Sequence, residues 1–302
     1  MQSLYSYFSC QKNQAAIVEK DLLKHVSDIA NLHLLIISIL IELVKHSNKF
    51  FEEGKQKHLP SEFDLNPNKR FVNNSTITSI LSDKKLIKNT DKVSSFWINN
   101  DHDIVRKIFT KMYRSEFYKD YIESKDVSSD KDKSFIIKVL DHYILNNELV
   151  HHMLEEKSIY WLDDLPFIST ILIAQIRAVD GGKNISFLGD VFKNKQDKSF
   201  ALDLFRKTIE NHKYFEEIII KNAKNWDLDR IAMMDQILLK MALCEILFME
   251  ELPVKVSINE YIEISKYYST AKSKLFINGL IDNMVKDFNK EGKIKKVGRG
   301  LI

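Results

Sequence analysis

Apolar residues recur at three-, four- and seven-residue steps along most of this chain, the spacing that lines one face of an α-helix. Between residues 15 and 58, Ile17, Leu22, Val26, Ile29, Ile36, Leu40 and Val44 follow that rule and predict one long helix, or two in line. His58-Leu59-Pro60 stops it, and 60–70, with two prolines among Asn and Asp, reads as a loop. Helical patterns follow at about 74–88, 101–123 and 131–156, separated by polar stretches such as 124–134. Trp161-Leu162-Asp163-Asp164-Leu165-Pro166-Phe167 opens another, with Asp164 as N-cap candidate and Pro166 in the first turn. It runs to about Val179, where Asp180-Gly181-Gly182 ends it. After a polar link at 189–198, Phe200, Leu204, Phe205 and Ile209, then Phe215, Ile218 and Ile219, supply the next helix or helices. At the other end, Leu4 and Phe8 stand four apart with Tyr5 beside them and no capping residue in front. A start inside an amphipathic helix points to a mis-assigned start or a truncated chain.

The most apolar element is predicted over 226–249, Trp226 to Met249, with Asp227 as its N-cap. On a wheel of about 100° per residue, Asp229, Gln236 and Lys240 share a polar stripe roughly 40° wide, and nearly all the rest is apolar. Such a helix belongs at the centre of a core. Glu245 lies roughly 160° from that stripe, on a face that should be dry. A buried carboxylate needs partners, and two readings follow. Either a Lys, a Tyr hydroxyl or a backbone N–H within the fold supplies them, or the face is covered by another protein whose donors Glu245 awaits.

Leu252-Pro253 breaks the chain after this helix. Ser257-x-x-Glu260 has capping-box spacing, and Val254, Ile258, Ile262 and Ser265 line one face of the next helix. Lys255 and Asn259 are polar groups at its start, either solvating a helix end or meeting a partner. Ser269 or Thr270 caps the last helix, with Ile277, Ile281, Met284 and Phe288 inward. Gly279 sits mid-helix, where glycine costs about 1 kcal/mol relative to Ala, and the close passage of another backbone would explain it. Phe276 is roughly 100° from Ile277 and need not face the core. Beside Lys272 and Lys274 it would offer single-stranded RNA a flat surface and cations; packing under a neighbouring helix is the other reading. The tail Lys286–Ile302, basic and with Gly292, Gly298 and Gly300, reads as a flexible arm.

Four prolines and eight glycines in 302 residues favour an all-α fold. Lys and Arg number 45 against 42 acids, and a net charge of +3 is too mild to signal nucleic acid alone. Cys10 and Cys244 match no metal or disulfide pattern, as expected in a reducing cytoplasm. The apolar run Leu32–Val44 is too short to span a bilayer, and no signal peptide precedes it, so no membrane role is expected. Glycine-rich phosphate loops, His/Cys metal spacings and Ser/His/Asp arrangements are missing, which argues against an enzyme, a cofactor or a metal site.

Four fragments then fall in register. They are Trp226-x-Leu228-Asp229-Arg230-Ile231-Ala232, Leu239-x-Met241-Ala242-Leu243-x-Glu245-Ile246-Leu247, Pro253-x-Lys255-Val256-x-Ile258-Asn259-Glu260-x-x-Glu263-x-x-Lys266 and Phe276-Ile277-Asn278-Gly279-Leu280-x-Asp282. Together they resemble the C-terminal half of the NusB transcription antitermination family, over roughly 197–302, with Gln2-x-Leu4-Tyr5 similar to its first helix. The resemblance implies a NusB-like helical bundle made of 1–19 plus 197–302, enlarged by an inserted helical region, 20–196, either an added architectural layer or a private partner surface. It also implies a cytoplasmic factor of ribosomal RNA transcription that binds boxA-type RNA together with the ribosomal protein NusE on RNA polymerase. Lys272, Lys274, Phe276 and Asn278 would belong to the RNA side, and Glu245, Lys255 and Asn259 to the NusE side. Two departures stand out. The Arg-rich segment that precedes Gln-x-Leu-Tyr in the family is absent, and Leu275 stands where the family commonly has Lys or Arg. The alternative is a protein–protein interaction scaffold of the same fold that has lost RNA binding.

Overall fold

The computed structural model describes residues 1–9, 15–179, 191–192, 194–223, 230–270 and 272–297, with backbone alone for 95–102. Helices and connecting turns make up these residues, with no strand among them, so the all-α expectation holds. In chain order the helices are α1 (Gln2–Ser9), α2 (Ala15–Lys55), α3 (Glu62–Leu65), α4 (Ser75–Ser82), α5 (Lys84–Tyr113), α6 (Glu116–Glu123), α7 (Ser129–Val139), α8 (Glu148–Lys157) and α9 (Trp161–Arg177). They continue with α10 (Lys195–Glu210), α11 (His212–Asn222), α12 (Met233–Phe248), α13 (Val254–Tyr268) and α14 (Ser273–Lys290). Between α7 and α8 the chain widens into a π-helical stretch, Leu140–Leu145.

The chain divides into two compact units, the first Met1–Lys24 with Phe192–Ile302 and the second His25–Val191. In the first unit α12 is the central helix: α1, α10, α11, α13 and α14 all pack on it. Its Leu238, Leu239, Ala242 and Leu243 are fully buried, meeting Leu4 of α1, Phe215 of α11 and Ile277, Ile281, Met284 and Phe288 of α14. Burial of this kind, at about 1.5–3 kcal/mol per large apolar side chain, is what holds the helix in place. The centrality read from its apolar circumference is thus correct, while its start is not. Arg230, Ile231 and Ala232 precede the α-helix, which begins at Met233. Asp227 and Asp229, assigned to its cap and polar stripe, lie outside the described residues.

The second unit packs α2 and α4–α9 around an apolar core that includes Leu32, Leu35, Ile36, Leu40 and Val44 of α2. A stack of aromatic rings joins α6 to α7, where Tyr121 and Phe135 lie 3.7 Å apart and nearly parallel. Asp132 is buried there, accepting hydrogen bonds from the Tyr121 hydroxyl at 2.7 Å and the Ser75 N–H at 2.8 Å. Asn74 donates to the Tyr121 oxygen at 2.9 Å while its own side-chain oxygen caps α4. By length and composition α2 could cross a bilayer, but 61% of its apolar stretch is buried within the protein, as in a core helix.

Several local expectations fail for identifiable reasons. Within 60–70 the chain makes one helical turn, α3, because Ser61 and Asp64 close a capping box. Asp164 is not a cap: α9 starts at Trp161 after Tyr160, leaving Asp164 in the first turn and Pro166 beyond it. Ser257 is not a cap either, since Pro253 begins α13 and Ser257 is buried inside it. Ile17 is 54% exposed despite its register with the α2 stripe. Asp180-Gly181-Gly182 lies outside the described residues.

The basic tail is not free over its first part. Gly292, at φ +64°, ends α14 in a Schellman turn, with Lys293 N–H on the Phe288 carbonyl at 2.9 Å. A residue with a Cβ is strained in that conformation. The reversal brings Lys296 back to the end of α12, where its ammonium donates to the Glu245 and Met249 carbonyls, each at 2.8 Å. Each carbonyl also accepts a backbone N–H, from Met249 and Leu252 respectively, and a cation added at a helix C-terminus is favourable against the helix dipole.

Candidate functional site

The start of α14 is built from the buried side of α12 outward. Asp235, in the first turn of α12, is 5% exposed and accepts from the Ser273 hydroxyl at 2.7 Å and from the Ser269 hydroxyl. Ser269 and Thr270 each also lie 2.8 Å from the Ser273 hydroxyl. Ser269 and Thr270 were expected to cap α14; instead they tie the α13–α14 turn to α12 through Asp235. The helix begins with Lys272 in the N-cap position and no side-chain cap. Sequence reading missed Asp235, because its serine partners lie more than thirty residues further along the chain and leave no local pattern.

That arrangement leaves Lys272 and Lys274 exposed at the positive end of an 18-residue helix with no acid in its first turn. Among the described residues neither lysine is in an ion pair. Cations here oppose the helix dipole and lower helix stability, while strengthening a potential that attracts anions. Lys272 and Phe276 are one turn apart on one face, as are Lys274 and Asn278 on the next. Phe276 is half-buried and packs on the core of the first unit, so it is not the freely exposed ring that RNA stacking suggested. The residue that projects is Leu275, 74% exposed. Asn278 is half-buried. Gly279 corrects another expectation: a Cβ there would meet nothing within 4 Å, so no neighbouring backbone requires the glycine.

Glu245 is 7% exposed, and the Tyr261 hydroxyl of α13 donates to its carboxylate at 2.6 Å. The carboxylate therefore has a donor within the fold, the first of the two readings. Burial, together with the neighbouring Glu245 charge, pushes the Tyr261 hydroxyl well above its ordinary pKa, which keeps it a donor at every physiological pH. Lys255 and Asn259 are exposed on the first turns of α13. Lys240, expected on a polar stripe, is 4% exposed; its ammonium pairs with Glu216 at 2.6 Å and lies 4.7 Å over the Phe8 ring. Cys244 is buried, and that burial pushes its thiol up to about 11, which makes it unreactive at neutral pH. Among the described residues no cluster of His, Cys, Asp or Glu could hold a metal.

Three of the four fragments that carry the resemblance lie on this central helix and the two that follow it, and the first ends at Ala232, just before α12. A family model described as "NusB family" matches residues 184–286. Those residues are a NusB-family domain. The transcription antitermination protein NusB of Salinibacter ruber is 49% identical over 105 residues, covering 35% of this chain and 66% of that protein. NusB of Chloroherpeton thalassium is 40% identical over 113 residues, covering 37% of this chain and 54% of that protein. This chain thus spans less than two thirds of the length of these curated relatives. A solved structure of T. maritima NusB, 30% identical, covers 39% of this chain and 82% of its own with a TM-score of 0.31.

Proposed function

We propose that the NusB-family domain acts in transcription antitermination by binding boxA-type single-stranded RNA at the start of α14, together with NusE, on RNA polymerase. The observation that carries this reading is the pair Lys272 and Lys274, exposed at the uncapped positive end of α14. Their placement costs helix stability, which a phosphate backbone would offset. Phe276 and Asn278, both half-buried, stand one turn further on, where a base would meet them. Lys255 and Asn259 form the NusE side on α13. Glu245 supports that side from beneath, by fixing Tyr261 and therefore α13 on α12. The work is binding in the cytoplasm, during ribosomal RNA transcription, with no reaction catalysed and no cofactor.

Fluorescence anisotropy with a boxA-type RNA, with and without NusE, across a salt series tests this. Affinity should fall with salt, and Lys272→Glu with Lys274→Glu should flatten the log–log slope by about 0.7 for each phosphate no longer neutralised. Lys255→Glu with Asn259→Ala should reduce only the NusE-enhanced part. RNA affinity unaltered by the lysine pair would remove α14 from the site.

A further inference from the structure

A groove of about 750 Å³ in the first unit runs between the start of α10, the end of α12 and the loop that follows. Phe200, Leu252 and Val297 line it, with Phe200 36% and Val297 64% exposed. Asp203, Glu250 and Glu251 stand on the same groove, and Asp197 adds a fourth acid. Among the described residues no lysine, arginine or histidine lines it. Nor, among them, does any cation come within ion-pairing distance of Asp203, Glu250 or Glu251. The two ammoniums that reach the groove's backbone are engaged there, Lys207 on the Phe248 carbonyl at 3.3 Å and Lys296 on that of Met249 at 2.8 Å. Exposed apolar surface framed by acids, in a chain whose net charge is +3, is a local reversal of sign.

We propose that this groove docks a basic amphipathic segment of another protein, one with Leu- or Phe-type side chains between lysines or arginines. Covering Phe200 and Leu252 would supply most of the affinity, and the carboxylates would set selection and association rate. A phosphate backbone would be repelled, so this surface is distinct from the start of α14. The proposal does not rest on the RNA reading.

The test is fluorescence anisotropy of the full chain with a labelled amphipathic Lys/Leu peptide, and with the same peptide carrying Glu in place of Lys. The Lys/Leu peptide should bind in a salt-sensitive way and the Glu peptide should not. Glu250→Lys with Glu251→Lys should weaken binding by about tenfold or more, as charge reversal at an interface does. Phe200→Asp should weaken it as well. Glu155→Lys with Glu156→Lys, an exposed acidic pair in the second unit, should leave it unchanged. Equal weakening by that control pair would mean attraction by net charge and would overturn the proposal. Binding seen only after residues 298–302 are removed would assign the groove to the chain's own end and overturn it too. So would a fall in RNA affinity in the Glu250→Lys, Glu251→Lys variant, because the groove would then lie on an RNA path.

Discussion

The two units solve one problem in the same way. In the second, which carries none of the family's motifs, Asp132 is buried against the Tyr121 hydroxyl and the Ser75 N–H. In the first, Glu245 is buried against the Tyr261 hydroxyl. A carboxylate held by a tyrosine is therefore a core device of this chain wherever helices must be fixed in register, and its burial does not itself point to a partner. The difference is at the surface. In the second unit Lys57 and Lys69 are drawn into ion pairs with Asp64 at 2.7 Å and Glu52 at 2.8 Å. At the start of α14, Lys272 and Lys274 have no such pair among the described residues. Unpaired lysines alone do not separate the units, because Lys84 and Lys85 also stand exposed and without an ion pair, among the described residues, at the start of α5. What differs is that the Asp83 side chain caps α5, whereas α14 has no side-chain cap.

Removing each carboxylate breaks the comparison most directly. Asp132→Ala strands a tyrosine hydroxyl and a backbone N–H, and hydrogen bonds to a charged group contribute about 1.5–3 kcal/mol each. A loss of about 3 kcal/mol or more in urea denaturation is expected. Glu245→Ala strands one hydroxyl and should cost about 1–3 kcal/mol. RNA affinity, measured where the protein remains folded, should not change in either. A Glu245→Ala variant of full stability that no longer responds to NusE would restore Glu245 to the partner surface.

These two sites also mark how much could be read in advance. The centrality of α12 was legible because an apolar circumference has one stable solution, burial on all sides. Tyr261 was not. The residues of α13 that are buried are Ser257, Tyr261 and Ser265. Ser265 belongs to the face read from Val254, Ile258 and Ile262, but Ser257 and Tyr261, each carrying a hydroxyl, stand one position off it. Lys240 failed for a related reason: its partner Glu216 is on another helix, and no local pattern shows a long-range ion pair. The start of α14 was found by residue type, but Asp235, which holds its turn in place, sits among apolar residues and carries no periodic signal. A basic, glycine-rich composition predicts a free arm, whereas the Gly292 turn closes on the carbonyls of α14 and Lys296 is held only once α12 offers its own.

Lys296 therefore sharpens the comparison at an intermediate scale. Lys296→Met retains the apolar stem and deletes the cation from two carbonyls, and should cost about 1–2 kcal/mol. Salt should not abolish the difference, because the ammonium is partly shielded; that same burial holds it below the ordinary lysine pKa. Gly279→Ala should act in the opposite direction. With nothing within 4 Å of the new methyl, the helix gains about 1 kcal/mol of propensity. If RNA lies over Phe276, a larger residue at the same position, as in Gly279→Leu, should lower RNA affinity while leaving the melting temperature at or above that of the glycine protein. Unchanged affinity would place the RNA elsewhere.

The smallest expected effect lies on a carboxylate raised by burial rather than held by donors. Asp164, in the first turn of α9, is half-buried beside Asp163, and burial first, then that neighbouring charge, push it up to about 6 from its ordinary value of 3.8. A carboxyl whose folded pKa is raised favours the folded state in its protonated form. Its contribution is fully present below about pH 4 and is lost as pH rises through about 6. Asp164→Asn keeps the shape and removes the charge. It should raise the stability of the second unit at pH 7 by no more than about 1 kcal/mol once solvent screening is allowed for, and should do nothing at pH 3.5. Asp132 marks the contrast, because two donors face its carboxylate, and Asp132→Asn, which turns an N–H donor toward one of them, should destabilise at pH 7. If both asparagine variants moved stability the same way at neutral pH, the presence of a donor would not be what decides the fate of an acid in this fold.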